Sequence, residues 1–259
     1  MIIVNEKRYV EDIMHTNKKP DKVGVRKLLT YIAKYYYSEW KDLSVAQYAR
    51  NVLQRVKDFR LNPAYYQEYQ YSNYVKNLCN KIVKGKINPQ LRDIKSVIIS
   101  KPEINLIQST PDEREQKVLF TLYVLAKITN NGNGWVNYST SDIFQMANVT
   151  MKKWDREYMI GNMGREGLLS YSKSTKNSAI KVELMDGDPE IEITEFEKIG
   201  NQYIATCKPG WIMCRRCGKV TKKRSNNQKY CKRCSAEIEK EKQVVYNQKS
   251  YAKLKKSRV

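Results

Sequence analysis

Four of the six cysteines stand in two tight pairs near the C-terminus, Cys214-Arg-Arg-Cys217-Gly218 and Cys231-Lys-Arg-Cys234, with 13 residues between the pairs. Two residues between thiols let both sulfurs turn toward one centre, and a glycine after the first pair permits the tight turn of a knuckle. The spacing therefore predicts one structural Zn2+ held by Cys214, Cys217, Cys231 and Cys234. A redox dithiol needs only one pair. A catalytic metal needs an open position, which four thiolates do not leave. Thiolates gathered in this way suit a reducing cytosol better than a disulfide framework.

The same stretch carries a second kind of chemistry. Arg215, Arg216, Lys219, Lys222, Lys223, Arg224, Lys229, Lys232 and Arg233 give nine bases and no acid between 215 and 233. A ribbon this small has little core, so the metal holds it together and its surface is free to be basic. Nine cations without an anion repel one another, which predicts phosphate contact. The plainer alternative is that they keep a small ribbon soluble. From Ala236 a charged helix is expected, with Glu237, Glu239 and Glu241 early and Lys253, Lys255, Lys256 and Arg258 late. That order complements the helix dipole and makes a solvated arm able to lie along a phosphate backbone.

The whole chain shares this bias. Its 259 residues carry 48 Lys and Arg against 27 Asp and Glu, a net charge of +21. Residues 1–100 net +10, residues 101–207 net −3 and residues 208–259 net +14. A surplus of this size attracts polyanions, and nucleic acid is the usual intracellular one. Mean hydropathy is −0.69, no apolar run reaches membrane-spanning length, and the N-terminus is broken by charges too early for a signal peptide. The expected location is the cytoplasm, with no membrane partner.

The elements that position these residues follow from periodicity. Leu28, Leu29, Ile32, Tyr35 and Tyr36 form one helical face, and Val45, Tyr48, Ala49, Val52, Val56 and Phe59 form another, capped by Ser44. After Asn62-Pro63 a third helix is expected, with Tyr71, Val75, Leu78 and Ile82 inward and an end near Gly85. The clustered tyrosines are read as core packing before base stacking. Cys79 and His15 have no partner pattern and are assigned to structure or surface. Residues 1–86 are thus a helical domain, and 87–109, with a β-like run at Val97-Ile98-Ile99 and a short helix begun by Ser100 and Pro102, a linker.

Thr110-Pro111-Asp112-Glu113 opens a helix whose buried stripe is Val118, Leu119, Leu122, Leu125 and Ala126. A short strand at Trp135, a helix from Ser139, a turn at Asn148-Val149 and a helix capped by Thr150 follow. A hairpin then runs through Leu168–Ser172 and Ala179–Met185. Helix, strand, helix, turn, helix, hairpin is the order of a winged helix-turn-helix, expected over 110–205. Its third helix offers Lys152, Lys153, Arg156 and Arg165, with Trp154 and Tyr158, and Leu168 beyond them, read as the buried stripe. The wing offers Lys173 and Lys176. The seven acids in 183–197 read as a solvated face.

The run EQKVLFTLYVLAKITNNGNGWVNYSTSDIFQMANV, then GREGLLSYSKS, EIEITEFEKIGNQYI and the cysteine module, resembles phage and mobile-element proteins of low-GC Gram-positive bacteria. The resemblance covers most of 110–250 and implies a phage, prophage or plasmid origin, a winged-helix-like middle and a four-cysteine knuckle. It supplies no catalytic residue.

A single histidine argues against chemistries built on histidine pairs, and no phosphate-binding loop or nucleophile elbow occurs. A binding protein is expected, with a carboxylate-only nuclease left open. The expected fold is mainly α with small β elements: the helical domain, the winged helix-turn-helix domain, a zinc ribbon over 206–235 and a basic helical tail over 236–259. The leading functional expectation is a DNA-binding regulator of transcription or replication, double-stranded DNA before RNA. Two alternatives stay open: an interaction protein that inhibits a host machine, such as an anti-defence inhibitor or polymerase-binding factor, and an RNA-binding protein.

Overall fold

The computed structural model describes residues 3–16, 23–59, 61, 66–129, 133–172 and 179–256, with side chains as far as Asn247. It is mainly helical with small antiparallel sheets and a C-terminal cluster of four cysteines. The chain divides into two compact units, Met1–Lys95 and Ser96–Val259. Among the described residues no helix is long and apolar enough to cross a membrane.

The first unit holds α1 (Glu6–Thr16), α2 (Val25–Tyr35), α3 (Tyr37–Trp40), α4 (Val45–Asp58) and α5 (Glu68–Val83). Leu28, Leu29 and Ile32 of α2 bury against Tyr48, Val52 and Val56 of α4 and Val75, Leu78 and Ile82 of α5. Ser44 starts α4 with a complete capping box, trading hydrogen bonds with Gln47. Two buried tyrosines bond their hydroxyls to backbone: Tyr48 donates to the Ala33 carbonyl and Tyr66 to that of Leu53. Cys79 is wholly buried core. The turn at Asn62-Pro63 and Tyr65 lie outside the described residues.

The second unit runs β1 (Val97–Ser100), α6 (Lys101–Ser109), α7 (Glu113–Thr129), β2 (Trp135–Val136), α8 (Thr140–Met146), α9 (Lys153–Arg165), β3 (Ser170–Tyr171), β4 (Ile180–Lys181), β5 (Pro189–Ile193), α10 (Ile199–Cys207), β6 (Trp211–Met213), β7 (Val220–Lys222) and α11 (Lys232–Lys256). Val118 through Ala126 of α7 are buried on every side, as a central helix must be when neighbours cover its whole circumference. The sheets are β1-β5, β2-β4-β3 and β6-β7.

The stretch 87–109 is not a linker. Its first part folds onto α1, where the Lys7 N–H donates to the Arg92 carbonyl and the Asn5 side chain to that of Ile94. Its second part is β1 and α6. β1 pairs antiparallel with β5, matching Val97 with Ile193 and Ile99 with Ile191. The seven acids of 183–197 are all exposed, as a solvated face requires, while Ile191 and Ile193 between them alternate inward as one side of a strand must.

Three further expectations are corrected. Thr150 does not cap α9; Lys152 precedes its first residue and no side chain caps it. The tail does not begin at Ala236, because α11 starts at Lys232 and already contains Cys234. Trp154 and Tyr158 are not buried. They are 77% and 67% exposed, and Met159, Ile160 and Met163 face the core instead. Both sets satisfy helical spacing on one helix, and the stripe that turns toward the core beside α8 excludes the other.

Candidate metal centre

Cys214 follows the last residue of β6, Cys217 lies in the turn to β7, Cys231 precedes α11 and Cys234 sits in its first turn. The first knuckle closes through the Gly218 N–H to the Cys214 carbonyl, 2.8 Å, and the Cys214 N–H to the Lys219 carbonyl, 2.9 Å. Gly218 has φ +65°, a left-handed conformation that favours glycine. The second knuckle bonds the Ser235 N–H to the Cys231 carbonyl. The ribbon is tied across by the Arg215 N–H to the Lys229 carbonyl.

The four sulfurs all lie within 4.8 Å of one another, and those of Cys217 and Cys231 are 3.8 Å apart. A tetrahedron with metal–sulfur bonds of about 2.3 Å has edges of about 3.8 Å. The four cysteines are placed to hold one metal ion. Cys207 is outside the cluster, and burial pushes its thiol up to about 11.

Local electrostatics divide the sulfurs. Burial opposes a thiolate at Cys214, but backbone N–H groups of Cys231, Cys217 and Arg216 outweigh it and bring the thiol down to about 6. Burial, with hydrogen bonds to the thiols of Cys217, Cys231 and Cys214, pushes Cys234 up to about 12. Four thiolates at these separations need a cation among them.

The ribbon rests on the middle of its unit through polar contacts that spacing does not reveal. Asn201 of α10, almost fully buried, donates to the Gly218 carbonyl at 2.8 Å. Its oxygen accepts from Asn148, in the turn between α8 and α9, at 3.0 Å. Lys198 donates to the Cys217 carbonyl at 2.8 Å. Nothing in residue type or period marks these three. The helix that carries Asn201 has a readable signal, since Ile199, Tyr203 and Ile204 repeat at helical spacing and are buried.

The nine ribbon bases separate into two groups. Arg216 pairs with Glu241 at 2.6 Å, and Arg233 pairs with Glu237 at 2.9 Å. The hydrogen bonds raise both guanidinium values and lower that of Glu237. Arg215, Lys219, Lys222, Lys223, Arg224, Lys229 and Lys232 are exposed and have no acidic partner among the described residues. Lys152, just before α9, and Lys153 and Arg165 on it are exposed. Arg156 is half-buried and bonds the Met151 carbonyl at 3.3 Å. Lys153 lies over the Trp154 ring and Arg165 over that of Tyr158, each at 5.8 Å. Lys173 and Lys176 lie outside the described residues, as do the side chains of Lys253, Lys255, Lys256 and Arg258.

The chain matches no protein-family model, no curated protein and no solved structure.

Proposed function

We propose that this is a nucleic-acid-binding protein whose C-terminal ribbon is built around one structural Zn2+ and contacts phosphates. The observation that carries the reading is the set of seven cations without an acidic partner among the described residues, on a ribbon built around the cysteine cluster. Zinc suits four thiolates in a closed tetrahedron and has no redox chemistry of its own. The metal supplies folding and lowers the charge of the thiolates, leaving the surface strongly positive. We read the α7-to-β4 segment as a winged helix-turn-helix with α9 as the helix that meets duplex DNA through Lys152, Lys153 and Arg165. The role that fits is a regulator of transcription or replication in a mobile element, with no catalysis.

The test is duplex binding by zinc-loaded full-length protein across a salt series. Changing Lys219, Lys222 and Lys223 to Ala should weaken binding on all sequences. The salt slope should fall by about one for each phosphate no longer neutralised. Equal binding and slope, with metal content unchanged, would overturn the reading.

A second reading has its own observation. Trp154 and Tyr158 present two large rings on one exposed face, flanked by Lys153 and Arg165, and Trp, Tyr and Arg are the residues that dominate protein interfaces. In this reading α9 docks a host protein and the basic ribbon competes for nucleic acid. Trp154→Ala with Tyr158→Ala would then release a co-purifying protein and leave DNA affinity unchanged.

A further inference from the structure

A groove of about 460 Å³ runs along the ribbon between the end of β7 and the start of α11. Its walls include Thr221, Arg224 and Ser225 on one side and Lys232, Ser235 and Glu239 on the other. Lys232, Ser235, Ala236 and Glu239 fall at i, i+3, i+4 and i+7, one stripe of α11. Two small residues in the middle of that stripe open the space. The cation and the carboxylate at its ends stand about 10 Å apart along the helix axis.

The groove is chemically ready for an anion at one end. Arg224 and Lys232 both line it and neither has an acidic partner among the described residues. The arginines that α11 does neutralise, Arg216 and Arg233, are not among its lining residues. The loop holding Arg224 is set in place by Gln228, whose oxygen accepts from the Arg224 N–H at 2.6 Å and whose amide donates to the Tyr230 carbonyl at 2.9 Å. At the other end Glu239 is exposed, with Lys242 only at 4.0 Å. A continuous phosphate track has no use for a carboxylate, which repels it. An acceptor at that place matches N–H donors on a base.

We propose that this groove binds one unpaired nucleotide, with its phosphate on Arg224 and Lys232 and its base edge on Glu239. The base that fits best is guanine. Its Watson–Crick edge puts two N–H donors side by side for two carboxylate oxygens, whereas the other bases set an acceptor beside their donor. Those donors are occupied in a duplex, so the groove selects single strands, overhangs or loops. Its volume lies in the range of small-ligand sites. This inference rests on the ribbon's binding nucleic acid and adds which form and which base it takes.

The experiment measures binding of zinc-loaded full-length protein to oligothymidylate with and without one central guanine, to oligouridylate with the same change, and to a blunt duplex. Tighter binding of both guanine-bearing strands is expected, and the larger gain of the two identifies DNA or RNA as the source. Arg224→Ala with Lys232→Ala should cost about tenfold on single strands. Glu239→Ala should abolish the guanine preference while raising affinity for plain strands, because a negative charge leaves. Lys222→Ala with Lys223→Ala, outside the groove, should weaken all strands alike and keep the preference. No guanine preference in the wild type, or a preference unchanged in Glu239→Ala, overturns the groove and leaves the ribbon reading standing. No binding of any strand or duplex overturns both. Metal content of one ion per chain in each variant keeps a loss of binding separate from a loss of fold.

Discussion

The side chain of Asn201 donates to the Gly218 carbonyl at 2.8 Å while its oxygen accepts from Asn148 at 3.0 Å. One almost fully buried amide thus joins the first cysteine knuckle to the turn between α8 and α9. A small ribbon built around four cysteines cannot bury enough apolar surface to fix its own orientation, and this amide does that by bonding backbone that the knuckle has already shaped.

Asn201→Leu removes both bonds and strands the Asn148 amide and the Gly218 carbonyl. The expected cost is about 1–3 kcal/mol in unfolding of the zinc-loaded protein. Metal stoichiometry should stay at one, while a chelator strips the ion faster than from wild type. An unchanged stripping rate would show that the ribbon does not depend on this bond.

Gly200 and Gly161 make a matched pair of opposite sign. A Cβ at Gly200 would stand 2.1 Å from the Ala147 carbonyl oxygen, in the backbone at the end of α8. Gly200→Ala should therefore destabilise by about 3 kcal/mol, the upper end of ordinary overpacking. Gly161, inside α9, has nothing within 4 Å of that position. Gly161→Ala should stabilise by about 1 kcal/mol through helix propensity. Thermal melts of both variants check the sign.

Glu103 is wholly buried, accepts from the Ser100 N–H at 2.9 Å and the Met185 N–H at 3.2 Å, and pairs with Lys127 at 2.8 Å. It holds α6, the β5 approach and α7 together. Removing one partner of a buried pair costs about 3–5 kcal/mol. Lys127→Met should fall at or below the low end of that range, because the lysine retains some exposure. Glu103→Ala should cost more, since two backbone donors also lose their acceptor. Denaturant titration of the two variants tests the order.

Burial pushes the Cys79 thiol from its ordinary value of 9.0 up to about 12. Above pH 9 the unfolded chain loses this proton while the folded chain keeps it, so the contribution to stability is full below pH 9 and declines between about 9 and 12. Cys79→Ala should flatten this part of the stability profile of the first unit while lowering stability at neutral pH by cavity formation. Metal content should not change with Cys79→Ser or Cys207→Ser, and either substitution reducing it would redraw the ligand set.

The metal site is legible from residue spacing because short-range geometry decides it: CxxC needs only a local turn to aim two sulfurs at one point. The α2 and α4 stripes are legible for a similar reason, since period and side-chain volume select their buried faces, whereas α7 is covered all round and its period selects no face. The stretch 87–109 is different, and reading it as a linker fails for a physical reason. Val97–Ser100 gains its meaning only from Pro189–Ile193, about ninety residues away, and no local pattern names a strand's partner. On α9 two apolar stripes, Trp154 with Tyr158 and Met159, Ile160 with Met163, are equally helical, and only tertiary packing, α8 included, chooses which to bury. The sign of the ribbon's charge is plain in its composition. Which of those charges remain free is decided by the reach of Glu237 and Glu241 along α11 to Arg216 and Arg233, because an ion pair depends on where two side chains meet in space and not on how often their types occur.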